Sequence, residues 1–219
     1  VHPKNDWCDS MTIAELKKLW EPAAEGKVLK WSDVRDGWPA ETITLYGAGS
    51  DSGTFDYFTE AVNGKAKESR SDYTGSEDDN TLVQGISKNK HALGYLPFAY
   101  YSSNKDILKA VAISAKEGDA PVLPSMDAVQ AGKYTPLSRP LFIYVSAKSL
   151  ERKEVRDFCE FFLTNVSALA KEVDYLPLPA AAYENGHKRL KEMKTGSVFG
   201  GVPETGLTIE ALMERELKE

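Results

Sequence analysis

Thr42-Ile-Thr-Leu-Tyr-Gly-Ala-Gly-Ser-Asp-Ser-Gly-Thr-Phe-Asp-Tyr-Phe-Thr-Glu60 is the stretch whose reading decides the fold. It opens as a short β-type run, Ile43 to Tyr46, passes through the small residues Gly47 to Gly53, and becomes helical, with Phe55, Phe58 and Val62 at i, i+3 and i+7. A strand, a small-residue turn and a helix start bring free backbone N–H groups and the positive end of a helix dipole to one point, which is a ready anion site. Ser50, Ser52 and Thr54 add hydroxyls that can donate to oxyanions. The plainer reading is a helix cap, since Ser or Asp in such a turn often serves only the first N–H groups. The stretch is not a Walker A loop, because no Gly-Lys-Ser/Thr follows, and Gly47 and Gly49 lack the third glycine of a dinucleotide fingerprint.

Arg70 is the cation within reach of this turn. Its plainer role is a solvated loop arginine paired with Asp72; its sharper role is an anion ligand, because guanidinium matches phosphate oxygens. The helix after Gly53 is about 16 Å long at ~1.5 Å per residue, and the residues that follow can span roughly 23 Å. Arg70 can therefore return to the helix start.

Composition sets the outer bounds. The 219 residues allow one large domain or two lobes, and 42% apolar with 27% charged residues suits a packed core. A net charge of −6 without a basic block argues against nucleic acid as a partner. Cys8 and Cys159 lie in no CxxC pattern, and His2, His91 and His187 form no ligand cluster, which argues against a zinc site. The two cysteines could bridge, but Cys159 sits on an apolar helical face and reads as a buried free thiol. No run of about 20 apolar residues exists to span a bilayer. The chain starts at Val1-His2-Pro3 without an initiating Met or a signal peptide. It reads as an excised or processed piece, so the missing signal says little about location.

Along the chain, Thr12-Ile-Ala-Glu15 is a capping box opening a helix that Pro22 stops. Lys27 to Val34 reads as a short helical turn, and Trp31 and Trp38 read as core or lobe-packing residues. Ser76 to Asn80 caps a helix carrying Leu82, Val83 and Ile86, and Ala92 to Leu96 is a buried strand. Residues 108–113 read as a further strand. Leu141 to Val145, the most apolar run, reads as a central strand covered on both faces. Residues 151–171 form an amphipathic helix, 180–193 another, and 208–219 a charged terminal one.

Taken together, residues 45–60, Ser69 to Asn80, Ala92 to Tyr95, Tyr134 to Tyr144 and Lys194 to Phe199 resemble, in this order, the phosphate-binding proteins of bacterial phosphate ABC transporters, the PstS family. The likeness covers nearly the whole chain. It implies an α/β, periplasmic-binding-protein-like (type II) two-lobed fold with the first part of lobe one missing. Residues 6–136 would be lobe two, largely complete, and 137–219 the returning C-terminal part of lobe one. It implies an extracytoplasmic protein, periplasmic or at the cell surface, that captures inorganic phosphate for a membrane permease without cofactor or metal. Carried over, the phosphate shell is Ser50, Asp51, Ser52, Gly53, Thr54 and Arg70, with Asp51 as acceptor for a phosphate proton. Many relatives have an Arg where this chain has Ala48, and Arg70 is expected to replace it. The alternative is a truncated fragment or interaction module with weak or no phosphate binding. With the first part of lobe one missing, the flanks of the strand 141–145 would be exposed and invite dimerisation, swapping of elements or a non-standard packing of residues 137–219. An enzyme reading fails because Gly49-Ser-Asp-Ser-Gly53 has Asp at the nucleophile position and no histidine completes a triad.

Overall fold

The computed structural model describes residues 1–201 and 204–215, and the chain divides into two compact units, Val1–Leu137 and Ser138–Glu219. In the first unit, β1 (Ser10–Thr12) runs straight into α1 (Ile13–Trp20), where the capping box forms in full. Glu15 N–H donates to Thr12 Oγ1 at 3.1 Å and Thr12 N–H to Glu15 Oε2 at 2.8 Å. The same carboxylate takes a fork from Arg35, at 2.6 and 2.7 Å, and the guanidinium lies 4.4 Å from the Trp38 ring. The cap is thereby tied to α2 (Trp31–Val34), whose Trp31 is fully buried.

After β2 (Thr44–Ala48) come α3 (Gly53–Asn63), β3 (Thr74–Ser76), α4 (Asp79–Ser87) and β4 (Ala92–Gly94). The three strands form a parallel sheet in the order β3-β2-β4, with Tyr46 facing Thr74 on one side and Gly94 on the other. The helix α5 (Phe98–Ser102) leads to β5 (Ala112–Ser114), which pairs in parallel with β1, and α6 (Met126–Gln130) precedes the turns that end the unit. Apolar stripes of α1 and α3 close the core: Leu16, Leu19 and Trp20 meet Phe58 and Val62 with Leu45 and Leu93 of the sheet. At about 25 cal/mol per Å² of apolar surface buried, such side chains contribute roughly 1.5–3 kcal/mol each.

The second unit holds α7 (Lys153–Glu172), α8 (Ala180–Lys191) and α9 (Ile209–Met213). Here the sequence-based expectation needs correction. Leu141 to Val145 is not a central strand: it has no ladder partners, and its residues are 38–78% exposed. The described residues of this unit contain no strand for it to pair with. The apolar face of α7 is likewise uncovered at Phe158 and Leu169, and Cys159 is its one fully buried residue. Two smaller expectations also shift. Of residues 108–113 only Ala112 and Ile113 join a strand, and the terminal helix ends at Met213, residues 216–219 lying outside the described residues. Both cysteines are free and buried.

Candidate functional site at the carboxyl end of β2

In the order β3-β2-β4 the chain leaves β2 towards one neighbour through α3 and then crosses to the other through α4. The carboxyl end of β2 is therefore a topological switch point, the place where open parallel sheets hold their ligands. The turn Gly49–Ser52 lies there. It is closed by Gly49 N–H donating to Ser76 O at 3.1 Å and Ser52 N–H donating to Gly49 O at 3.1 Å.

Ser52 is the N-cap of α3, its Oγ accepting from Thr54 N–H at 3.1 Å. That bond leaves the hydroxyl proton of Ser52 for another acceptor. Gly53 is the first helical residue and Thr54 the second, so both stand where the dipole is positive. Ser50 and Asp51 are exposed at the tip of the turn. Ser52, not Asp51, caps the helix, so the Asp51 carboxylate is not consumed by capping.

Arg70 is placed elsewhere. Its Nη1 donates to Leu19 O at 3.0 Å and Val28 O at 2.9 Å, while Nε and Nη2 hold both oxygens of Asp72 at 2.5 and 2.8 Å. It is 3% exposed. Its own N–H meets Trp20 O, the carbonyl that also accepts from Asn63 at the last residue of α3. The parallel register confirms the direction, because Ser76 lies beside Ala48 and Arg70 sits six residues upstream of Ser76. The segment is long enough to return to the helix start, but it enters β3 from the opposite end of the sheet. A buried guanidinium with carbonyl and carboxylate partners is a brace for the α1–α3 corner. Its expected part in the anion shell is withdrawn on these grounds.

Three residues at the turn were not singled out from sequence. Glu77 Oε1 accepts from Asp51 N–H at 3.1 Å and packs so closely on Gly49 that a Cβ there would lie 2.1 Å from it. Tyr73 and Tyr95 both donate to Ala48 O, at 3.0 and 3.4 Å. Burial pushes both phenols above their ordinary range, and the charge of Glu77 adds to the shift. Tyr95 stacks on Phe58 at 3.8 Å, and Trp20 meets both edge-on, so an aromatic cluster fixes α3 against β4. Such pairs add about 0.5–1.5 kcal/mol each beyond their buried area. A Cβ on Gly47 would lie 2.5 Å from the Tyr95 ring, which is why the strand needs glycine there. The signal for Glu77 was its place in Ser76-Glu77-Asp78-Asp79, a run that reads from sequence only as a helix cap. Asp78 does supply that cap, accepting from Asn80 N–H at 3.0 Å.

A parallel α/β sheet with a hydroxyl-rich turn and a helix N-terminus at its switch point defines a ligand-binding unit of the periplasmic-binding-protein kind. A PBP superfamily domain matches residues 1–166, and the chain belongs to that superfamily. It is 48% identical over 98% of its length to Protein SphX of Synechocystis, covering 64% of that protein. It is 34% identical over 88% of its length to the phosphate-binding protein PstS of Staphylococcus haemolyticus, covering 58% of it. The chain thus spans less than two thirds of these curated relatives. The crystal structure of a possible phosphate-binding protein from Planctomyces limnophilus superposes with a TM-score of 0.76 at 47% identity, over 89% of this chain and 68% of that one. A Clostridium perfringens protein described as a putative phosphate ABC transporter substrate-binding protein with bound phosphate shares the fold, with a TM-score of 0.61 at 21% identity. Among the described residues no helix is long and apolar enough to cross a membrane.

Proposed function

We propose that this chain serves an extracytoplasmic solute-binding protein, periplasmic or at the cell surface, that captures inorganic phosphate and presents it to the permease of an ABC importer. The observation that carries the reading is the position of Ser52-Gly53-Thr54, a capped helix start at the switch point of a parallel sheet. The names of the relatives supply the anion. The shell assigned here is Ser50, Asp51, Ser52, Gly53 and Thr54: hydroxyl and amide donors for the oxyanion, and the Asp51 carboxylate as acceptor for a phosphate proton. An acceptor of this kind discriminates against sulfate, which carries no proton to offer at neutral pH. Residues 6–136 act as lobe two and 137–219 as the returning part of lobe one.

Calorimetry with phosphate and sulfate tests the reading. Phosphate binds and sulfate does not, and Ser52→Ala weakens phosphate about tenfold, the worth of one hydrogen bond to a charged group. Equal heats for the two anions would remove Asp51 from its role. An unchanged affinity in Ser52→Ala would remove the site.

The exposed run Leu141 to Val145 favours a second reading, an interaction module in which phosphate binding is weak or absent and copies associate or exchange elements through this edge. Absence of phosphate binding combined with concentration-dependent association would select it.

A further inference from the structure

We propose that Glu77 is a built-in competitor for the anion turn, its carboxylate occupying the donor side of the turn until a bound oxyanion displaces it; this rests on the reading of the turn as the phosphate site. The carboxylate touches two points of the turn, the Asp51 N–H at 3.1 Å and the Gly49 backbone, where no side chain separates them. Among the described residues Glu77 forms no ion pair, so no cation explains why the side chain folds back there. Its partner is instead a backbone donor of the turn, the same kind of group that holds an oxyanion.

The surroundings raise the cost of keeping both anions. Asp79 is pushed above the ordinary carboxylate range by burial, with the charges of Asp78 and Glu77 adding to it. Tyr73 and Tyr95, whose hydroxyls are fixed on Ala48 O, are shifted the same way in part by Glu77. A phosphate entering the turn would meet the Glu77 carboxylate on the Asp51 N–H and must move it outward. Glu77 is exposed, so solvent is open to its carboxylate when an oxyanion displaces it. The measured affinity is then the intrinsic affinity of the turn reduced by its occupation by Glu77.

The test is phosphate titration of the ¹⁵N-labelled full chain and of Glu77→Gln, read at the Asp51 and Gly49 amide resonances. Glu117→Gln, which removes the same charge from an exposed loop, is the control. The substitution at Glu77 is expected to move the Asp51 amide even without phosphate. It is also expected to tighten inorganic phosphate binding about tenfold, the equivalent of one charge-assisted hydrogen bond, while Glu117→Gln stays within about twofold of the parent. An equal or weaker affinity in Glu77→Gln overturns the competitor role while leaving the phosphate site in place. An Asp51 amide indifferent to the substitution overturns the contact itself. Phosphate that perturbs neither chain refutes the anion site, and the competitor with it. Equal tightening in Glu117→Gln reduces the effect to net charge and also overturns the proposal.

Discussion

Replacing Arg70 by Met separates a brace from a ligand. The side chain's stem is kept and four hydrogen bonds are lost, two to the carbonyls of Leu19 and Val28 and two to Asp72. Removing one partner of a buried pair costs about 3–5 kcal/mol when the other is left unpaired. Here the Asp72 side chain is 33% exposed and regains water, while each stranded carbonyl costs ~1–3 kcal/mol. The expected loss is therefore about 3 kcal/mol, at the low end of that range. All four tryptophans, Trp7, Trp20, Trp31 and Trp38, belong to the first unit, so their fluorescence in urea reports that unit alone. With a slope of about 2 kcal/mol per molar urea, the midpoint falls by roughly 1.5 M. Phosphate affinity of the folded variant is unchanged. The pair also has a pH signature. The hydrogen bond from Arg70 holds Asp72 below its ordinary 3.8, so the folded state binds the proton less readily than the unfolded one. That contribution is complete above 3.8 and is lost as pH falls through the lower folded value; Arg70→Met lacks it and shows a flatter acid limb. A midpoint moved by less than about 0.3 M, together with lost phosphate binding, would refute the brace and return Arg70 to the shell.

Three other outcomes are expected. Gly47→Ala drives a methyl into the Tyr95 ring and lowers stability by ~1–3 kcal/mol, seen as an earlier urea midpoint; an unchanged midpoint would mean the aromatic cluster yields freely. Burial pushes the Cys8 thiol up to about 12, so at pH 8 a thiol reagent labels neither Cys8 nor the buried Cys159 until denaturant is added, and prompt labelling of the native chain would contradict the burial. Ile143→Lys places a charge in the exposed apolar run and suppresses concentration-dependent association in sedimentation velocity; association that persists unaltered would acquit this edge.

What the sequence discloses here is what local chemistry determines. Thr12 and Glu15 form their reciprocal cap because both partners lie within one helical turn. The helix over Gly53–Asn63 follows from a capping serine, an aromatic stripe and a glycine just past its end. Leu141 to Val145 failed for the opposite reason. Its composition favours a strand, but a strand exists only when a neighbour supplies the other half of each hydrogen bond, and among the described residues none does. Arg70 failed on direction. Chain length permits two return paths from α3, and only the parallel register of β3 on β2 selects the one that carries Arg70 away from the turn. Glu77 was hidden because a carboxylate in the run Ser76 to Asn80 has an adequate local role as helix-cap chemistry, which masks a long-range one.

The two ends of α3 are consequently held by different means. At its carboxyl end Asn63 donates to the carbonyls of Trp20 and Glu68, and Arg70 locks the neighbouring corner in a buried set of bonds. At its amino end Ser52 caps the helix and the exposed Glu77 carboxylate accepts from the Asp51 N–H, two bonds that an oxyanion can replace or rearrange. Buried, many-partnered bonds resist exchange, whereas exposed single ones are readily remade. A helix whose dipole must point steadily at a ligand needs its far end fixed and its near end free to trade partners. On the proposed reading Arg70 belongs to the fixed end and touches none of the turn's donors, while Glu77 meets the anion directly by occupying the Asp51 N–H.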